Sequence, residues 1–415
     1  MRTDTLTVLR CPYCGGRLTL VTSMFHQADD DRISEGILGC HCCIFPVVDG
    51  IPVLHLQAAA VAARDHVEAA RPDRALQTMV GLEDDAQATR FEAVAASATS
   101  TYRDVVEALG PSFEGGYFLY RFSDPTYVVA NAVVRAVAGT VLHGARRAVD
   151  VCGGSGHLTR SLLDLSSPAP ILADLYFAKA WLARRFTAPG CEPVCCDANA
   201  PLPFARGAFG FAMCSDAFQY IWTKRQFVGE LTRLVDAEGE PGAVVINHTH
   251  NALTWSPSHG QPLAPAGYRD LFETLEPRIF GEAGLFADLV AGGPLDLSRR
   301  DPEQALEGDP ALTIVATRHR GVFQAHELET PAAARGRFRV NPLYESERRG
   351  DRLLLRLRFP SPDYEEEYGA CRQYLPDEAT VDLQSLDALE AGGRPDGLDE
   401  LIRRRVIVDL PDNYY

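Results

Sequence analysis

Long apolar runs are missing from this chain: nowhere in its 415 residues do about 18 apolar residues follow one another, so no segment reads as a membrane span. Positive charge is also scarce. Forty Lys and Arg stand against 56 Asp and Glu, and the net charge of -16 repels a phosphate backbone unless some local face is basic. Nucleic acid is therefore a disfavoured partner. The first residues, MRTDTLTVLRCPYCGG, lack the apolar core of a secretory signal, and we expect a cytoplasmic protein. Internal repeats and low-complexity tracts are absent. What is present is a globular composition, 46% hydrophobic and 23% charged, in a chain too long for one ordinary core. Two or three domains are expected.

The cysteines form two populations: five of the eleven lie between Cys11 and Cys43, and the rest are scattered. In a reducing compartment such a cluster points to a metal rather than to disulfides. Cys11 and Cys14, and likewise Cys40 and Cys43, are separated by two residues; a hairpin joining the pairs supplies four thiolates in the tetrahedron of a closed zinc site. Cys42 could replace Cys43, and His41 reads as a bystander. The loop from Gly15 to Gly39 is long for a ribbon, which is tolerable because closure entropy grows slowly with length. Buried free thiols are the plain alternative. A unit this small has little core, so the metal would supply much of its stability.

This segment resembles the Trm112-like zinc ribbons, with their LxCPxCxGxL, CxxC and DGIPxL elements. Leu9, Cys11, Pro12, Cys14, Gly16, Leu18, Cys40, Cys43, Phe45, Pro46, Asp49, Gly50, Ile51, Pro52 and Leu54 carry the likeness. It implies a non-catalytic companion of methyltransferases, either a separate partner or fused in one chain.

Residues 1–56 thus read as a ribbon, and 57–110 as a helical connector or cap, interrupted at Arg71-Pro72. Residues 111–320 alternate helices with the strand candidates AVDVC, ILADL, FGFAMC, AVVINH and ALTIVATR. That alternation predicts an α/β, Rossmann-like, doubly wound sheet covered by helices on both faces. Residues 321–415 form an α+β extension in which FRVNPLYESERRGDRLLLRLRFP predicts a hairpin turning at Arg349-Gly350-Asp351. The extension could complete an acceptor pocket or make a homodimer contact.

The stretch VDVCGGSGHL places a turn with Gly153, Gly154 and Gly156 after an apolar strand ending near Asp150, with a helix expected from about His157. Glycine suits a turn where the backbone bends sharply and a ligand comes close. A tight turn without a ligand is the plain alternative. Further carboxylates follow in order. Asp174 ends the next strand, where it can accept hydrogen bonds from ribose hydroxyls, and Asp197 follows a third, where it can meet an adenine amino group. Each acid alone is an ordinary loop residue or cap; together they sit at the carboxyl ends of successive strands, where open sheets bind ligands.

From about 145 to 250 the chain resembles the class I S-adenosylmethionine-dependent methyltransferases. The resemblance implies that Asp150, Gly153, Gly154 and Gly156 line the methionine part of the cofactor. It places Asp174 and Leu175 at the ribose, Asp197 and Ala198 at the adenine, and Ser215 at the pocket floor. Cys152 replaces the first glycine of the family's turn, which we read as an adjustment of fit.

Methyl transfer needs alignment above all, with a general base where the nucleophile is a hydroxyl or acidic carbon. In VVINHTHNALTW, His248 and His250 alternate along an extended segment and share a face, making them candidate bases; Asn247 and Asn251 could orient a substrate. The pair could also hold a metal, although no third ligand is evident, and two hydrogen-bonded loop histidines are the plain alternative. Tyr117, Tyr120, Arg121, Tyr127 and Gln219 are candidates for the substrate wall. Ribbons fused to ribosomal RNA methyltransferases raise an RNA base as acceptor, but residues 1–56 hold only Arg2, Arg10, Arg17 and Arg32 as positive charges. A small-molecule or peptide-like acceptor, as in specialised metabolism, is favoured. A non-methylating reaction of the same cofactor, such as cyclisation, and a non-catalytic partner protein are the other classes.

Overall fold

Short apolar strands separated by turn residues build the protein from its N-terminus, as seen in a computed structural model that describes residues 1–21, 27–29, 31–110, 118–144, 146–256, 260–329, 334–393, 395 and 397–415. Strands β1 (Arg32–Gly39), β2 (Ile44–Val48) and β3 (Ile51–Pro52) form an antiparallel meander. The β2–β3 turn is Asp49-Gly50, with φ of 44° and 69°; this left-handed pair matches the twist of a two-residue hairpin. Val53 then bridges Cys195 in parallel, and the Leu54 N–H donates to the Cys195 carbonyl at 2.7 Å. Leu9, Leu38 and Phe45 share one apolar cluster with Val149, Ile171 and Val194, so the N-terminal unit is packed into the main body.

Four helices follow: α1 (Ala58–Glu68), α2 (Pro72–Val80), α3 (Asp85–Ala96) and α4 (Tyr102–Leu109). Proline at the first position of α2 is tolerated because the N–H there has no helical partner, which explains the break after α1. Asp84 caps α3, and Thr101 with Asp104 forms a capping box on α4. Phe91 of α3 packs on Trp181 and Tyr102 of α4 on Phe186, with ring centroids 5.5 and 6.1 Å apart.

The main body holds α5 (Pro125–Val141), β4 (Arg147–Val151), β5 (Ile171–Asp174), α6 (Phe177–Leu182), β6 (Glu192–Cys195), β7 (Phe209–Ser215), α7 (Lys224–Val235), β8 (Ala243–His250), β9 (Pro277–Gly281), α8 (Glu282–Ala291) and β10 (Ala311–Thr317). Seven of these strands make one sheet in the order β9-β10-β8-β7-β4-β5-β6; β10 runs antiparallel to both its neighbours and the other pairings are parallel. The expected α/β sheet, with a small antiparallel sheet before it and antiparallel strands after it, is the fold found. β9 had no expectation from sequence. The helix expected near His157 is a single tight turn, Thr159–Leu162, with the Thr159 hydroxyl donating to Asp150 Oδ2 at 2.6 Å.

The C-terminal extension contributes β11 (Arg337–Val340), β12 (Tyr344–Arg349), β13 (Arg352–Leu357), β14 (Glu378–Asp382) and β15 (Ile407–Leu410). β12 and β13 form the expected hairpin around Gly350. β11 instead pairs with β15 from the far end of the chain. The extension braces the segment before α5. Tyr374 donates to the Ser123 carbonyl, Tyr364 to Asp124, and Tyr415 to the Leu119 carbonyl. Tyr414, 1% exposed, stacks on Tyr102, donates to the Phe118 carbonyl and lies 2.7 Å from His157 Nε2.

Candidate functional site

The strand order reverses between β4 and β7, and an open sheet leaves a crevice at such a point, beyond the carboxyl ends of its strands. Cys152 leaves β4 with φ of +62°, a left-handed conformation natural to the glycine it replaces. Its thiol faces that of Cys214, and this hydrogen bond together with burial raises its pKa well above the ordinary thiol value. The glycines serve different ends. A Cβ on Gly153 would lie 2.9 Å from the Asp150 carboxylate, and one on Gly156 2.7 Å from Ala183, so both are needed for packing. At Gly154, φ +54°, a Cβ would meet only Phe118, at 3.9 Å.

Asp150 is placed differently from the cofactor-lining role expected of it. Its carboxylate is 1% exposed beneath the turn, and burial pushes its pKa up to about 7, against the Thr159 hydrogen bond. Asp174 stands at the crevice, accepting from the Gly154 N–H at 2.9 Å and from the Tyr176 N–H at 2.8 Å. Leu175 follows, half-buried, its carbonyl accepting from the Cys195 thiol. Asp197 caps its own turn through the Asn199 N–H at 2.8 Å, beside the buried Ala198. Ser215, at the end of β7, has a buried hydroxyl with no hydrogen-bond partner among the described residues.

Next to Asp197 lies a cavity of about 250 Å³ whose lining includes Pro12, Tyr13, Leu54, His55, Cys196 and Asp197. That is below the roughly 300–1,000 Å³ of whole-ligand pockets and suits one end of a longer ligand. The N-terminal unit therefore walls the crevice at the β6 end. The left-handed turn, the open face of Gly154, the orphaned Ser215 hydroxyl and the Asp174 carboxylate together fit S-adenosylmethionine lying across the strand ends.

On the other side of the crevice the ends of β7 and β8 converge. Asp216 accepts from Arg121 at 3.1 Å through Oδ2 and faces Gln219 Nε2 at 3.4 Å through Oδ1. The rings of His248 and His250 are 5.5 Å apart and nearly perpendicular. Burial alone would lower the His248 pKa, but Glu282, 2.7 Å from Nδ1, outweighs it and raises the value to about 9; His250 is lowered, chiefly by burial. Glu282 lies 34 residues from His248, and no local pattern marks it.

The other expected substrate residues divide. Arg121 and Gln219 adjoin Asp216, and Asn247 is fully buried with Nδ2 unpartnered among the described residues. Tyr120 packs edge-on against Tyr364 of the extension. Tyr127, 5% exposed, packs against Phe122 and under the Arg405 guanidinium, a core position that a substrate does not reach. Asn251 is fully buried, its amide donating to the carbonyls of Leu306, Glu307 and Asp309 and its oxygen accepting from Leu253, which leaves nothing for a substrate. Tyr117 lies outside the described residues.

At the N-terminus, ligand atoms of Cys11, Cys14, Cys40 and Cys42 gather within 4.8 Å. The pairs Cys11–Cys42 and Cys40–Cys42 are 3.6 Å apart and Cys14–Cys40 3.7 Å. A tetrahedron with zinc–sulfur bonds of about 2.3 Å has edges of roughly 3.8 Å, so the spacing suits zinc. The fourth corner is Cys42, the alternative the sequence left open. Cys42 sits exposed in the turn, whereas Cys43 packs against the apolar cluster as the chain enters β2.

The sheet order and the antiparallel β10 define a class I S-adenosylmethionine-dependent methyltransferase fold. No protein-family profile and no curated protein matches the chain. Among solved structures it is similar to the geranyl diphosphate C-methyltransferase of Streptomyces coelicolor, at 16% identity over 46% of this chain and 77% of that one, with a TM-score of 0.34. It is likewise similar to a SAM-dependent methyltransferase from Aquifex aeolicus (12% identity, 48% and 97% covered, TM-score 0.34). A third likeness is to a chain in the complex of the Haloferax volcanii Trm112 methyltransferase activator (18%, 45% and 88%, 0.33). Each spans under half of this chain, and the fold rests on the strand order.

Proposed function

We propose that the chain transfers a methyl group from S-adenosylmethionine to a small-molecule or peptide-like acceptor. One observation carries this reading: a single crevice has cofactor-type groups on one side, Asp174, Gly154 and Ser215, and a cluster of Asp216, His248, His250 and Arg121 on the other. When bound, S-adenosylmethionine supplies a methyl carbon on a sulfonium, an electrophile that needs alignment more than activation. Asp174 would hold the ribose while its hydrogen bond to Gly154 keeps the turn in place, and Asp197 with the cavity beside Tyr13 and His55 would take the adenine. Asp216, His248 and His250 would engage the acceptor, and Arg121 would fix Asp216.

The charge balance supports an acceptor other than RNA, and the exposed side chains beyond β7 and β8 suit an acceptor with an apolar part. The chain's net charge is -16. Tyr220 and Trp222 follow β7, and Leu253 and Trp255 follow β8; all are at least 50% exposed, giving that edge of the crevice an apolar and aromatic border. The N-terminal unit is read as a Trm112-like ribbon fused to its own enzyme.

Calorimetric titration with S-adenosylhomocysteine tests the reading. Micromolar binding, weakened at least 30-fold by Asp174→Ala, is expected. Absence of binding in the wild type would overturn it in favour of a partner protein. Methylthioadenosine formed without any methylated product would replace it with a non-methylating reaction.

A further inference from the structure

Asp216, His248 and His250 each offer a ligand atom, and the three atoms lie within 4.8 Å of one another. Their convergence has a backbone cause. β7 and β8 are parallel neighbours with Ser215 opposite Asn247, so the next residues on both strands emerge at the same level. The β8 register against β10 then shifts between Ile246 and Thr249, and His248 takes φ of +49°. A left-handed histidine inside a strand is strained and persists only where its surroundings over-determine it.

Those surroundings hold the imidazoles as metal sites hold theirs. His248 Nδ1 is 2.7 Å from Glu282 Oε2, while Glu282 Oε1 accepts from the His248 N–H and the Thr313 hydroxyl, each at 2.8 Å. With Nδ1 engaged, Nε2 of His248 is the nitrogen left to bind. His250 Nδ1 is 3.0 Å from the Ser256 hydroxyl, which leaves its Nε2 in the same way. A carboxylate or hydroxyl on the remote nitrogen, fixing ring orientation and ligand basicity, is the usual outer shell of a metal-bound histidine.

A second, independent sign is unmet hydrogen bonding. Gln219 Oε1, an acceptor on a side chain 1% exposed, has no partner among the described residues, while Nε2 of the same amide faces Asp216 Oδ1 at 3.4 Å. A buried acceptor of this kind is rare without a missing ion or water.

We infer that Asp216, His248 and His250 bind one divalent transition-metal ion, with zinc the chemical match, which anchors an oxygen of the acceptor. Two imidazoles and one carboxylate suit zinc or iron(II); magnesium prefers an all-oxygen set and keeps its waters. Three protein ligands leave a position open, the arrangement of zinc sites that act on a bound molecule. The ion displaces the proton on His248 as it binds, so Glu282 remains its hydrogen-bond partner. Only the anchoring of an acceptor rests on the methyltransferase reading; the binding of the ion does not.

The test is zinc stoichiometry of the full chain after equilibration with zinc and removal of excess. The expected result is two ions per chain, one on the thiolate quartet and one here. His250→Ala and Asp216→Asn should each bring the count to one, and Glu282→Gln should weaken the second ion by 10- to 100-fold. Circular dichroism and the S-adenosylhomocysteine titration of the same variants separate loss of the ion from loss of the fold. One ion in the wild type, or two in both folded variants, overturns the inference. A second ion retained in a chain that binds no S-adenosylhomocysteine would sink the methyltransferase reading and leave the metal site standing.

Discussion

Replacing Cys152 by glycine and by alanine separates the backbone of the turn from its thiol. Both changes remove the sulfur facing Cys214, so that loss cancels in the comparison. What differs is the Cβ at a φ of +62°. A left-handed L-residue costs roughly 1–2 kcal/mol, and glycine's extra freedom in the unfolded chain returns roughly 0.5–1 kcal/mol of that. Cys152→Gly should therefore exceed Cys152→Ala by about 0.5–1 kcal/mol, read from urea midpoints at a common slope. Gly154→Ala is the internal control. Its φ is +54° and its Cβ would meet only Phe118 at 3.9 Å, so it should lose about the same amount for the same backbone reason. Both Cys152 variants should retain S-adenosylhomocysteine binding. An alanine variant at least as stable as the glycine one would refute the left-handed turn, and with it the view of Cys152 as a tolerated substitution in a cofactor loop.

Other outcomes follow from the same geometry. Asn251→Ala strands three carbonyls, those of Leu306, Glu307 and Asp309, and should destabilise the chain by about 2–4 kcal/mol in denaturant titration while leaving cofactor affinity nearly unchanged. Asp150 carries a pKa raised by burial to about 7, from an ordinary value of 3.8, so the folded chain holds a proton that the unfolded chain has released between those values. Its contribution is thus intact at low pH and is lost as pH rises from about 4 to 7; Asp150→Asn should flatten that slope and stabilise the chain at pH 8 by at most ~4 kcal/mol. A slope unaltered by the substitution would assign the pH dependence to other groups. Cys42→Ser should release the thiolate-bound zinc and Cys43→Ser should keep it, as metal analysis would show; because Leu9 and Phe45 share a cluster with the main sheet, the melting temperature of the whole chain should fall with the ion.

The C-terminal extension gives the site much of its rigidity. Tyr364, Tyr374, Tyr414 and Tyr415 hold the carbonyls and carboxylate of residues 118–124, the segment that positions Arg121. Tyr414 also reaches His157 just beyond the glycine turn, so the far end of the chain braces both halves of the crevice.

Much was written locally. The paired cysteines, the Asp49-Gly50 hairpin, the break before Pro72, the glycine turn after β4 and the run of strands each depend on residues within a few positions of one another. Spacing, turn chemistry and periodicity report such short-range constraints directly, and they were enough for the α/β sheet and the cysteine cluster. Tertiary structure decided the rest. Which of Cys42 and Cys43 joins the quartet depends on where the turn packs against the core, and Asn251 is claimed by carbonyls 55 to 58 residues away. Asp150 faces inward because Gly153 closes over it. Asp216 meets His248 and His250 only through the register of β7 with β8, and Glu282 reaches His248 across 34 residues. Contacts of that kind are made by strands brought side by side, and nothing in the spacing of residues along one strand records which side chain will stand opposite on the next.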